Sequence, residues 1–182
     1  NNRANLMIAQ QLLTAAGWTI KNGKLVNDKN QPFAFEMLLV QPEFERVVQP
    51  FKQNLERLGI DMTIRIIDTP QYITRERSFD FDMTVGGFPQ SLSPGNEQRS
   101  FFGSKDADVN GSRNLIGIKN PVVDALIDKI VSASTREQLV TATRALDRVL
   151  LAGYYVIPNY HTRNLRLAYW DYLEQPAVKP KY

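Results

Sequence analysis

Apolar residues recur at helical spacing over the first stretch of the chain, at Leu6, Ala9, Leu12, Leu13 and Ala16, and Gly17 supplies a left-handed stop. In "WTIKNGKLV" the Asn22-Gly23 pair stands between two short β-type runs and predicts a hairpin, with a second polar turn at Asp28-Lys29-Asn30. "PFAFEMLLV" follows. Phe33, Phe35, Met37 and Leu39 share one face, and Ala34, Leu38 and Val40 leave the other mostly apolar, as in a strand covered on both sides. Phe44, Val47, Val48, Phe51, Leu55 and Leu58 then trace an amphipathic helix that Gly59 ends and Pro50 should kink. Alternation at Ile60, Met62, Ile64 and Ile66 predicts a strand, Gln71 to Arg77 a short helix, and Phe79, Phe81, Met83 and Val85 a further strand. Strand, helix, strand, helix, strand is βαβαβ, so an α/β fold is expected: a mostly parallel sheet with helices on both faces.

The second half is patterned differently. Asn120-Pro121 caps and starts a helix through Val123, Leu126, Ile127 and Ile130, and Ser134 with Glu137 reads as a capping box before Leu139, Ala142, Leu146 and Val149. "YYVIPNYHTRNLRLAYW" predicts two strand-like runs with a turn near Thr162 to Asn164. The ending "EQPAVKPKY" is rich in proline and polar residues, like a connector.

Composition narrows the function classes. The 182 residues carry 22 Lys+Arg against 19 Asp+Glu, a formal net charge of +3, and the basic residues are scattered. No basic run supports a nucleic-acid partner. There is no cysteine, which excludes disulfides and thiolate metal sites and suits an oxidising compartment. No stretch approaches the roughly 18 apolar residues that span a membrane. The chain opens directly on a helix pattern, without a starting methionine, and is expected to be part of something longer.

Candidate chemistry is sparse. His161 is the sole histidine, and no metal or nucleophile motif accompanies it, so no cofactor and no catalysis are expected. Asp80/Asp82 and Asp106/Asp108 read as solvated surface acids. Gly86-Gly87 lies at a strand's carboxyl end, where open α/β sheets bind ligands; it is either a tight bend or a place where another backbone approaches. Arg75, Arg77, Arg99 and Arg113 are candidates for a carboxylate clamp. Tyr154, Tyr155, Tyr160, Tyr169 and Trp170 read as a β-rich core, or as a wall facing a ligand or another domain.

Five segments in order, "AQQLLTAAGW", "FKQNLERLGIDMTIRIID", "FDFDMTVGGFPQSLSPGNEQ", "NLIGIKNPVVDALIDKIV" and "RALDRVLLAGYYVIPNYH", resemble the C-terminal lobe of the large family-5 extracellular solute-binding proteins of peptide ABC importers. The "FPQSLSPGNEQ" loop and "AYWD" are most similar to the Yej-like branch serving microcin C-type peptides. The resemblance implies a type II periplasmic-binding-protein-like lobe. Residues 1–158 would form the ligand-binding lobe, and 159–182 a strand and linker tail crossing toward the first lobe. It also implies a periplasmic monomer that clamps an extended oligopeptide between two lobes and delivers it to inner-membrane ABC permease subunits. The expected ligand-binding residues are Arg75, Thr84, Gly86, Gly87, Phe88, Gln90, Ser91, Asn96, Glu97 and Arg113. In relatives with a W-x-x-D-type loop an aspartate pairs with the peptide's amino terminus. Counting back from Pro94, that place falls at Gln90, whose neutral amide cannot form the ion pair, and Glu97 is the first alternative acid. Two other classes compete: a hydrolase or transferase on the same scaffold, and a non-transport interaction lobe.

Overall fold

A computed structural model of the chain describes residues 2–161, 167–174 and 176–178. It divides into two compact units, Asn1–Gly87 and Phe88–Tyr182.

In the first unit, helix α1 (Asn2–Ala15) ends at Gly17, whose φ of 89° is the left-handed stop. Leu6, Ala9 and Leu13 pack with Trp18 and Phe33 on buried Leu25, Leu58 and Ile60. Leu12 does not join them; it is 66% exposed. Strands β1 (Thr19–Lys21) and β2 (Lys24–Val26) form the antiparallel hairpin. Asn22 and Gly23 both take positive φ, 52° and 79°, as a two-residue turn matched to strand twist requires.

Strand β3 (Ala34–Leu39) is the middle of a three-stranded sheet. It pairs in parallel with β4 (Asp61–Ile66) over its whole length and with β5 (Met83–Thr84) at Met37 and Leu38, in the order β4-β3-β5. Met37, Leu38 and Leu39 are buried at 5%, 0% and 2% exposure, so the strand is covered on both faces at its carboxyl end. Helix α2 (Glu45–Glu56) runs unbroken through Pro50 and sets Val48, Phe51 and Leu55 against Met37, Leu39 and Met62. The chain then turns at Gly59, φ 78°. A Cβ there would stand 2.7 Å from the Leu25 nitrogen, so both conformation and space demand glycine.

The third strand is shorter than its alternation suggests. Helix α3 (Thr69–Arg77) starts on Asp68, whose carboxylate accepts from Gln71 N–H, and its exit consumes residues 79–82. Phe79 sits at φ 57°, Asp80 N–H donates to the Arg75 carbonyl, and Arg75 Nε donates to both the carbonyl and the carboxylate of Asp80. Asp82 Oδ2 accepts from Glu36 N–H at 2.9 Å, holding the β3 edge where a strand would otherwise pair. Both aspartates are exposed, as expected, but neither is merely solvated.

In the second unit, α4 (Glu97–Phe102) leads by a 3₁₀ turn (Ser104–Asp106) and loops to α5 (Pro121–Val131) and α6 (Arg136–Ala152). Phe101, Phe102, Ile118, Val123, Ile127, Ile130, Ala142 and Leu146 form its core. Asn120 caps α5 by accepting from Val122 N–H, with Pro121 at the first helical position. The cap of α6 lies one residue later than the Ser134–Glu137 spacing suggests. Thr135 accepts from Gln138 N–H, and Gln138 Oε1 accepts in return from the Ser134 N–H and hydroxyl. Asn114, fully buried, closes the preceding loops: its Nδ2 donates to the Gly103 and Ile118 carbonyls and its Oδ1 accepts from Ile118 N–H, all at 3.0 Å.

The expected strands late in the chain do not form among the described residues; the turn at Thr162 to Asn164 lies outside them. Tyr154 sits at φ 52°, and Pro158 lacks the N–H a ladder needs. The aromatic residues there are not a β-rich core. Tyr155 packs against the helical core, while Tyr154, Tyr160, Tyr169 and Trp170 are exposed.

Candidate functional site

The carboxyl end of β5 is fixed by a short relay. Thr84 Oγ1 donates to the Leu38 carbonyl at 2.9 Å and lies 2.9 Å from the Tyr72 hydroxyl. Because the threonine proton goes to Leu38, Tyr72 is the donor in the second bond. Burial raises the Tyr72 phenol above its ordinary value against the lowering pull of the Thr84 bond, with the Glu76 charge adding to the rise, so this donor stays protonated. The expected ligand residue Thr84 thus directs its side chain inward, tying β5 to β3 and α3.

Arg75 is also engaged within its unit. Its guanidinium reaches Glu36 at 3.0 Å and Asp80 at 2.9 Å, and Arg65 approaches the other Glu36 oxygen at 3.5 Å. The Glu36 Oε1 contact is close but not aligned as a hydrogen bond. Arg77 is exposed on the same helix.

Beyond β5 the chain leaves regular structure. Gly86, Gly87, Pro89, Gln90 and Ser91 are exposed. Neither glycine takes a positive φ, and a Cβ built on either meets nothing within 4 Å. The lobe's own conformation therefore requires glycine at neither position, which removes the tight-bend reading. Among the described residues, the main-chain groups of Gly86, Gly87, Phe88, Pro89 and Gln90 enter none of the chain's turn, loop or cap hydrogen bonds. Polar main-chain groups left open next to glycines accommodate a second backbone.

The rest of the segment is braced on the second unit. Phe88, 36% exposed, packs its ring on Phe101 and Phe102 at centroid distances of 5.6 and 5.2 Å. Arg113 lies over the Phe101 ring, 4.2 Å from its centroid, a cation–π contact. Arg99 pairs with Asp128 at 2.7 Å. Of the arginines expected to clamp a carboxylate, Arg75, Arg99 and Arg113 each have a separate partner, and Arg77 is exposed. Ser91 Oγ accepts from Ser93 N–H, and Arg136 donates to the Leu92 carbonyl. Asn96 is exposed, and its carbonyl accepts from Arg99 N–H.

Gln90 and Glu97 are brought together by Gln98, which sequence reasoning missed. Gln98 is 4% exposed, and its Nε2 donates to Gln90 Oε1 at 2.6 Å and to Glu97 Oε1 at 3.2 Å. Gly95 N–H donates to the same Glu97 oxygen at 2.8 Å. Burial works against the Glu97 charge, but the Gly95 and Glu97 N–H groups and the Gln98 amide outweigh it and hold the carboxyl below its ordinary value. A signal for Gln98 did exist: with Phe101 and Phe102 it falls at i, i+3 and i+4, the spacing of an inward helix face. Asn114 offered no such pattern. His161 is exposed and lies in no helix or strand.

Residues 1–110 match the model of the bacterial extracellular solute-binding proteins, family 5 middle. Over 181 residues the chain is 50% identical to the uncharacterized protein y4wM of Sinorhizobium fredii and 46% identical to the probable peptide-binding protein YejA of Agrobacterium fabrum. Each match covers 99% of the chain, but only 27% and 30% of the relative. The chain thus spans under a third of the length of these curated relatives. Among solved structures, the oligopeptide-binding protein AppA of Bacillus subtilis, in complex with a nonapeptide, superposes with a TM-score of 0.69 at 25% identity, over 79% of the chain and 29% of AppA.

Proposed function

The chain belongs to the family-5 bacterial extracellular solute-binding proteins, and we propose that it forms the ligand-holding lobe of the peptide-binding component of an ABC importer. The observation that carries this reading is the exposed segment after β5, with its glycines under no demand from the lobe's own packing and its main-chain groups left open among the described residues. An extended peptide would pair with this backbone as an added strand, its side chains reaching looser surroundings. Gly86 and Gly87 permit the approach, and Pro89 and Pro94 limit the entropy lost on binding.

Under this proposal residues 1–158 act as the ligand-binding lobe and 159–182 lead toward the protein's other lobe. The protein works as an extracytoplasmic monomer that binds without catalysis and hands its peptide to membrane permease subunits. The likeness of the "FPQSLSPGNEQ" loop to the Yej-like branch supports microcin C-type peptides as the finer ligand class. Native mass spectrometry of the full-length protein with a peptide mixture tests the reading. Intact bound peptide is expected; cleaved peptide would make it a hydrolase, and no bound peptide would overturn the reading altogether.

A further inference from the structure

Arg113 holds a positioned guanidinium with no acid to neutralise it. Its neighbour Asn114 is fully buried and pinned by three hydrogen bonds of 3.0 Å, so the loop that carries Arg113 keeps one course. The guanidinium rests 4.2 Å from the centroid of the Phe101 ring, which is 3% exposed and belongs to the helical core. Among the described residues no carboxylate forms an ion pair with Arg113, Glu97 included, although Glu97 stands one helical turn before Phe101. Stacking on a ring uses the face of a guanidinium and leaves the N–H donors along its edges for another group. The same Phe101 ring is met edge-on by Phe88 at 5.6 Å, and Phe88 belongs to the exposed segment whose main chain is open. In paired strands the side chains of opposite residues stand on one face, about 4.5–5.5 Å apart. A peptide residue paired across from Phe88 therefore sets its side chain beside the Phe88 ring, on the side where that ring packs against Phe101.

We propose that Phe88 and Arg113, joined through Phe101, form a side-chain subsite that takes an acidic residue of the bound peptide, glutamate above all. The methylene stem covers the exposed part of the Phe88 ring, and the carboxylate meets the guanidinium edge. A guanidinium fork matches a carboxylate, and a side chain already held on Phe101 loses little rotamer freedom on binding. This rests on the peptide-binding reading above and names a residue type that its peptides carry.

The test uses the full-length protein and a peptide with an amidated carboxyl end, in which each position in turn is made Glu or Gln, titrated by calorimetry. Amidation removes the terminal carboxylate, so the difference reads the side chain alone. At one position Glu is expected to bind roughly 3- to 10-fold more tightly than Gln, between the scale of an exposed ion pair and that of a charge-assisted hydrogen bond. The preference should shrink as salt is raised. Arg113→Met keeps a thioether against the Phe101 ring but carries no charge, and should bring the Glu and Gln peptides to equal affinity. A brace without a binding role would leave the Glu-to-Gln ratio unchanged, whatever happens to the melting temperature. Should Arg113→Met not fold, Arg113→Gln supplies the neutral variant, and without either the wild-type scan decides alone. No Glu preference at any position, or one that survives loss of the charge, overturns the acidic subsite while leaving peptide binding standing. Failure of wild type to bind any of the peptides removes both.

Discussion

Replacing Gly87 by valine separates what the lobe needs from what its ligand needs. Within the chain a Cβ at this position finds nothing within 4 Å, and the backbone lies outside the left-handed region that L residues resist. The folded lobe should therefore tolerate Gly87→Val within about 0.5 kcal/mol, as at other open surface positions. Peptide binding should suffer. Paired strands lie only about 4.8 Å apart, and a branched side chain at the point of approach pushes the second backbone away. Losing one or two main-chain hydrogen bonds, with polar groups left dry, costs about 1–3 kcal/mol, or roughly 5- to 150-fold in affinity. Calorimetric titration of wild-type and Gly87→Val full-length protein, with parallel thermal melts, reads both quantities. Wild-type affinity with an unchanged melt would remove the segment from the site. A large fall in melting temperature would refute the claim that the position is open.

Two further consequences concern the second unit. Asn114→Ala strands the Ile118 carbonyl and N–H inside the protein and leaves the Gly103 carbonyl with the Asp106 N–H alone, so stability should fall by about 2–4 kcal/mol in urea unfolding; a loss under about 1 kcal/mol would contradict the role assigned to its three bonds. The depressed Glu97 carboxyl means that its brace contributes in full above the ordinary value of 4.5 and is lost as pH falls through the lower folded value. Wild type should thus lose stability relative to Glu97→Gln only below about pH 4.5, and parallel pH profiles for the two proteins would contradict this.

Much of the architecture was written in local patterns. The Asn22-Gly23 turn, the Gly17 and Gly59 stops, the β3 apolar run and the Asn120-Pro121 start each act over a few residues, so spacing alone exposes them. The failures share a cause. Phe79, Phe81, Met83 and Val85 alternate as a strand should, yet Arg75 and Asp80 close α3 over the same residues, a bond between side chain and backbone that alternation cannot register. The strand pattern after Tyr154 lacks, among the described residues, any neighbour to complete its ladder, and a hairpin without one is marginal. At the candidate site the glycines, Gln90 and Glu97 were visible as residues. Their relation was not, because it passes through Gln98, and because Thr84 and Arg75 are engaged by partners 46 and 39 positions away in sequence, Leu38 and Glu36.

Amide hydrogen exchange reports most directly on the claim that a peptide is held by the main chain after β5. In the ligand-free full-length protein the amides of Gly86, Gly87, Phe88 and Gln90 should exchange rapidly, since among the described residues no main-chain hydrogen bond protects them. Saturating peptide should protect some of them, while amides in α5 and α6 stay as they were. Bound peptide with no change in exchange at these four residues would contradict the account.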